Sequence, residues 1–204
     1  MSAASITRDF LGAEPTWQAA GIEMEDVQPL WGGHRLVISG RGQADAQSVS
    51  ADGKVTRGHL YLPAGEVRRL LALCCEHDLL ATPPPTHPGL PDEAQPTITL
   101  INPAGERRGV TAWAEGMADG FAAVYKALHA LARRALAVTA TRTRLAELDA
   151  QLQEKGYALD RFSHQPSVVT FIEQEIAGLE SQIAAHRQTL ARLTTFPSAK
   201  EHTP

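Results

Sequence analysis

Val124, Leu131, Val138, Leu145, Leu152 and Leu159 stand seven residues apart without interruption. That spacing returns to one side of an α-helix every two turns and has no counterpart in the two-residue period of a strand. Leu148 and Phe162 add a second position three residues after Leu145 and Leu159. Phe121 and Leu128 flank the same line upstream and widen the apolar stripe there, as suits packing on a sheet. A second run starts at Pro166, a residue accepted in the first helical turn because its missing N–H has no intrahelical partner to lose. It continues through Val169, Ile172, Ile176, Leu179, Ile183, His186, Leu190 and Leu193, alternating steps of three and four.

As helices, residues 117–155 would reach roughly 58 Å and residues 166–194 roughly 43 Å. Gly156 and Pro166 bracket a place for the chain to reverse, which would lay the second helix back along residues 131–155 and leave 117–130 for the preceding domain. The competing arrangement carries the first helix on through Gly156, at a cost of about 1 kcal/mol for one interior glycine. Two neighbouring helices bury little by themselves, so a long seam of this kind commonly completes its burial in another chain. The expected association surface is Val138, Leu145, Leu148, Leu152, Ile172, Ile176, Leu179, Ile183, His186, Leu190 and Leu193, with a second copy as the favoured partner and a helix of another protein as the alternative. His186 is the one polar member, a position from which an imidazole could fix register or make association depend on pH.

Upstream the period shortens. Arg35–Ser39 lies between glycines and reads as a strand. Gln47–Ser50 and Lys54–Leu62 flank Asp52-Gly53, a strong hairpin signal because glycine reaches positive φ without steric cost. After Pro63, Val67, Leu70, Leu71 and Cys74 recur at three and four and predict a helix that covers the sheet. Thr82–Gly89 holds four prolines and predicts a stiff exposed loop. Thr97–Ile101, the Asn102–Gly105 turn and Arg107–Trp113 predict a second hairpin. The fold class is therefore α+β, a small and mostly antiparallel sheet with a covering helix, followed by a long C-terminal helical hairpin or coiled coil. The expected division is an α+β domain over residues 1–115, with 1–30 as an irregular arm or short strand, then the hairpin over 116–196 and a flexible tail over 197–204.

Composition limits function more than it suggests one. Of 204 residues 43% are hydrophobic, but only 5% are aromatic, so large core-filling side chains are scarce. A net charge of −4 argues against a protein that grips nucleic acid with its whole surface. Two adjacent cysteines, Cys74 and Cys75, cannot staple a fold and fit a reducing compartment. The N-terminus has no basic region followed by an apolar run, and no apolar stretch reaches membrane-spanning length, so the expectation is a cytoplasmic protein without a membrane span.

No nucleophile elbow, phosphate-binding loop or zinc-protease helix occurs, so neither catalytic residues nor a cofactor are expected. Cys74, Cys75 and His77 form one cluster of soft ligands. A helix points the two thiols about 100° apart, which favours Cys74 as a small buried hydrophobe over a metal ligand. His34 and His59 could face one another across neighbouring strands. At 100° per residue, Lys126, Arg133, Arg144 and Lys155 fall on one line of the first long helix, opposite its seam. They form either a solvated face or a candidate anion-binding stripe for the phosphates of nucleic acid or anionic lipid, although no aromatic residue accompanies them to stack on bases.

Gly32-Gly33, the Asp52-Gly53 hairpin, Leu62-Pro63 with the helix through Leu70-Leu71, and Pro91-Asp92 ahead of Thr97–Leu100 together resemble emfourin-type domains. That bacterial family is named for inhibitors of protealysin-like metalloproteases. The resemblance covers about half of the chain and implies a protease-directed binding module, with the C-terminal helices outside it. The overall expectation is a non-enzymatic interaction or adaptor protein, presenting an α+β module on helices that self-associate or bind a partner. Metalloprotease inhibition and nucleic-acid binding are the alternatives.

Overall fold

The structure, a computed structural model, describes residues 5–84 and 93–196. Most of the proline-rich Thr82–Gly89 segment and the 197–204 tail lie outside the described residues. Six strands, β1 (Gly21–Gln28), β2 (Gly32–Ser39), β3 (Gln43–Val49), β4 (Val55–Tyr61), β5 (Thr97–Ile101) and β6 (Arg107–Thr111), form an antiparallel sheet in the order β4-β3-β2-β1-β5-β6. Both expected hairpins form. At the first, Gly53 has φ 79° and donates to the Ser50 carbonyl at 2.8 Å; at the second, Gly105 has φ 86° and donates to Asn102 at 2.9 Å.

Of the two readings of the 1–30 segment, the strand is the one that forms, and the described residues of the segment, 5–30, are not an irregular arm. It supplies a short helix, α1 (Ile6–Leu11), a 3₁₀ turn and then β1, a central strand that pairs with both β2 and β5. In register, Ile22 faces Ile38 on one side and Leu100 on the other, and Met24 faces Leu36 and Ile98. Successive side chains alternate across a strand, so these residues share one face with Ala44, Ala46 and Leu60, and every one is at most 5% exposed. The opposite face is solvated, with cross-strand ion pairs Glu25–Arg35 at 2.8 Å and Glu23–Arg107 and a hydrogen bond between Asp45 and His59. His59 therefore pairs with Asp45 on β3. His34 on β2 stands opposite Asp26 and Ser48, so the two histidines do not face each other.

Helices cover the apolar face. The predicted covering helix is α2 (Ala64–Glu76), whose Val67, Leu70, Leu71 and Cys74 are all buried. Its C-terminal end is tied to the N-terminal segment through Asp78. That carboxylate accepts from the Ser5 hydroxyl at 2.9 Å and the Thr7 amide at 2.8 Å, while the Thr7 hydroxyl accepts from the Leu80 amide. The long helix α3 (Asp119–Arg161) contributes buried Phe121, Val124, Leu128, Leu131, Ala132 and Ala135. Its backbone comes closest at Gly58 of β4, where an added Cβ would stand 2.6 Å from the Ala135 carbonyl and the Leu136 Cα. The first compact unit accordingly runs to Leu136 and takes in Phe196, and the second is Ala137–Thr195. The division falls inside α3, beyond residue 115, because the opening turns of that helix supply the cover of the sheet.

In the second unit α3 continues through Gly156 to Arg161, and after a turn at 162–165 the chain enters α4 (Pro166–Thr194). Lys155–Glu175 at 2.7 Å and Asp149–Arg187 at 3.8 Å pair early α4 with late α3 and late α4 with earlier α3, which makes the unit an antiparallel hairpin. Continuation through Gly156 and reversal before Pro166 thus occur together.

Replacing Gly58 by valine forces the sheet and α3 apart and is expected to cost about 1–3 kcal/mol. Denaturant unfolding of Gly58→Val measures this, and an unchanged midpoint would remove the close approach from the account of the core.

Candidate functional site

The expected association residues come together along the hairpin. Val138 and Leu148 on α3 are fully buried, and Ile172 and Ile183 on α4 are 5% and 4% exposed. The other members, Leu145, Leu152, Ile176, Leu179, His186, Leu190 and Leu193, are only half-buried within the chain. One side of each stripe thus closes the hairpin and the other side stays in water. A groove of about 430 Å³ opens beside it, lined by Gln151, Glu154, Lys155, Glu175, Leu179 and Gln182, where Gly178 puts no side chain between the helices.

The basic line is less continuous than the sequence suggests. Lys126 and Arg133 are exposed in the first unit. In the second, Arg144 bonds Glu147 at 3.0 Å, and Lys155 reaches across to Glu175 on α4. Lys155 therefore flanks the interhelical seam instead of standing opposite it. Positions seven apart drift by about 20° per heptad on a straight 3.6-residue helix, so a side fixed at Val124 has rotated well away by Leu159.

Cys74 is fully buried, and burial, reinforced by Cys75 beside it, pushes its thiol up to about 12. Cys75 is also buried and is raised, first by desolvation. Neither supplies a thiolate near neutral pH. His77 ends α2, its amide donating to the Leu73 carbonyl at 3.2 Å. Among the described residues, no three His, Cys, Asp or Glu side chains converge as a metal site would require.

Sequence reasoning missed a polar cluster where α3 crosses β1 and β2. Asp26 and His34 are register partners on the helix-covered face, and the Tyr125 hydroxyl donates to Asp26. The His34 and His129 rings meet edge to face at 4.8 Å, and Tyr125 lies 5.7 Å from His129. Burial, followed by the hydrogen bond and charge of Asp26, holds the Tyr125 hydroxyl protonated well above the usual phenol range. Burial, with His129 and Arg133 nearby, lowers His34, against an opposing pull from Asp26. The cluster has a phenol that keeps its proton and no activated nucleophile; it ties α3 to the sheet through the Tyr125–Asp26 hydrogen bond and the His34–His129 ring contact. Spacing gave no signal for it, since Asp26, His34, Tyr125 and His129 come from two parts of the chain about a hundred residues apart. Next to it, the turn joining β1 to β2 exposes Leu30 and Trp31, 65% and 69% accessible.

Comparison of the chain with protein-family models, with curated proteins and with solved structures finds no match in any of the three. No helix among the described residues is long and apolar enough to cross a membrane.

The fold favours neutral His34, so its stability is fully present above the ordinary imidazole value of 6.5 and is lost as pH falls through that value toward the lowered one. The melting temperature of the parent is expected to fall between about pH 7.5 and about 5.5, where imidazoles titrate. His34→Gln removes part of that fall; an identical pH dependence in the variant would show that His34 carries none of it.

Proposed function

We propose that the chain is a non-enzymatic interaction protein whose C-terminal hairpin associates with a second copy of itself and so displays the α+β unit. The observation that carries this reading is the half-buried set Leu145, Leu152, Ile176, Leu179, Leu190 and Leu193. Each is apolar, each recurs at helical spacing, and each leaves part of its surface in water. Apolar area removed from water is worth about 25 cal/mol per Å², so a facing hairpin that covered these six side chains would gain several kcal/mol before the costs of association. A two-fold arrangement needs one self-complementary surface, which an apolar strip bordered by both signs of charge provides.

Ile176→Asp tests this directly, because Ile176 is half-buried in the hairpin and tolerates the change better than buried Ile183. Light scattering of the parent is expected to give a dimer and of Ile176→Asp a monomer, with helix content by circular dichroism retained. A monomeric parent, or a variant that dimerises as well as the parent, would end the reading.

A second reading, inhibition of a protealysin-like metalloprotease, is favoured by Leu30 and Trp31. Two large apolar side chains on a tight turn are the kind of anchor that enters a cleft in a partner. Gly32 and Gly33 hold that turn at φ 74° and 147°, and a Cβ on either would collide with backbone at 2.0 Å or less. Mixing the protein with a protealysin-like enzyme is expected to slow peptide hydrolysis, and Trp31→Ala to relieve the effect. Undiminished hydrolysis at excess protein would exclude this role.

A further inference from the structure

We infer that two hairpins pair antiparallel, with the tip of one, where α3 turns into α4, against the base of the other. This rests on the proposed self-association and assigns it a direction. Charge is distributed unequally along the hairpin. The base half, residues 137–149 and 181–195, carries Arg142, Arg144, Arg187 and Arg192 against Glu147 and Asp149. The tip half, residues 150–180, carries five carboxylates, Glu154, Asp160, Glu173, Glu175 and Glu180, against Lys155 and Arg161. Three pairs form inside the hairpin, Arg144–Glu147, Lys155–Glu175 and Asp149–Arg187, and each removes one charge of either sign from its surroundings. The excess is therefore positive at the base and negative at the tip. Parallel pairing would set like on like at both ends, whereas antiparallel pairing sets each acidic tip beside a basic base. Charges at the rim of an interface contribute little to affinity but select orientation, because the wrong orientation is repelled.

Side-chain size follows the same division. The large exposed aromatics of the hairpin, Tyr157 and Phe171, are 67% and 60% accessible and both lie in the tip half. The base half has no exposed aromatic residue and exposes Ala140, Ala146, Ala184, Ala185 and Ala191, against Ala150, Ala177 and Gly178 in the tip half. Antiparallel pairing sets each aromatic-bearing tip beside the base that exposes more alanine and keeps the four rings from crowding one another. The seam is apolar apart from His186, so charge, with the placing of the aromatics, decides the direction.

A nitroxide attached at Ser163→Cys measures the direction. Ser163 is exposed in the turn between the helices, while Cys74 and Cys75 are buried and do not compete for the label. Pulsed dipolar spectroscopy of the full-length dimer is expected to give a tip-to-tip distance of about 40 Å, the length of α4. A distance below about 25 Å, the width of a four-helix bundle, would overturn the antiparallel assignment while leaving dimerisation intact. A monomeric parent would overturn both. Charge reversal gives an independent measurement. Arg142→Glu with Arg192→Glu is expected to weaken the dimer by about tenfold, and adding Glu154→Arg with Glu173→Arg to restore most of it. Unchanged dimerisation on reversing the base alone, which leaves like charge on like where bases face each other, would mean that the pairing is parallel, and the proposal would fail.

Discussion

The first unit depends on one sheet face being sealed by backbone and not only by side chains. Antiparallel strands alternate, so an apolar face left in water would expose Ile22, Met24, Leu36, Ile38, Ile98 and Leu100 together. α2 covers part of that face, and the opening turns of α3 cover another part. The small residues of α3, Ala132 and Ala135, are fully buried, and Gly58 beneath them has no side chain. A helix laid this close gains dispersion contacts along its backbone and excludes water without needing large residues. That is how a chain with 5% aromatic residues builds a dry core. The alanines that seem to dilute the composition do their work at this contact.

The same shortage has the opposite effect in the second unit. Two helices have only one surface to share, and each stripe here is wider than that surface. Val138, Leu148, Ile172 and Ile183 fill the line of contact, and their neighbours at the next step of three or four turn outward. A third layer would normally cover them, as the sheet covers Phe121 and Leu128 in the first unit. Among the described residues of the hairpin unit there is no such layer, and the proposed self-association would supply one.

What the sequence made legible follows from how each element signals itself. The hairpins at Asp52-Gly53 and Asn102–Gly105, the α2 helix and the two long helices carry local patterns of turn chemistry or period, and all of them form. β1 lacked such a pattern. Its Gly-Ile-Glu-Met-Glu-Asp-Val-Gln alternates only as far as Met24, and the next inward position is Asp26. A carboxylate is costly on a covered face unless something distant satisfies it, and that partner is Tyr125, 99 residues away. The residue that breaks the strand's alternation is thus the one around which the His34, His129 and Tyr125 cluster gathers. Long-range polar pairing of this kind leaves no trace in period or composition, so the cluster could not be read before the fold. The basic line was misread for a geometric reason, since a single angular frame does not hold over the 29 residues from Lys126 to Lys155.

The position of the hairpin reversal shows which local rule prevails when two conflict. Gly156 weakens a helix by about 1 kcal/mol relative to alanine, but it leaves the backbone hydrogen bonds in place. Leu159 and Phe162 lie beyond it and are half-buried, so ending the helix at Gly156 would return both to water. Pro166 imposes a harder condition. Its ring excludes the residue before it from helical geometry, and Gln165 is extended at φ −117° and ψ 91°. A soft entropic penalty is outweighed by two apolar contacts, whereas a steric exclusion is not. The chain therefore passes through the glycine and turns before the proline. This lengthens α3 to Arg161 and carries Tyr157 and Asp160 into the tip half, where the acidic and aromatic character of the hairpin is concentrated.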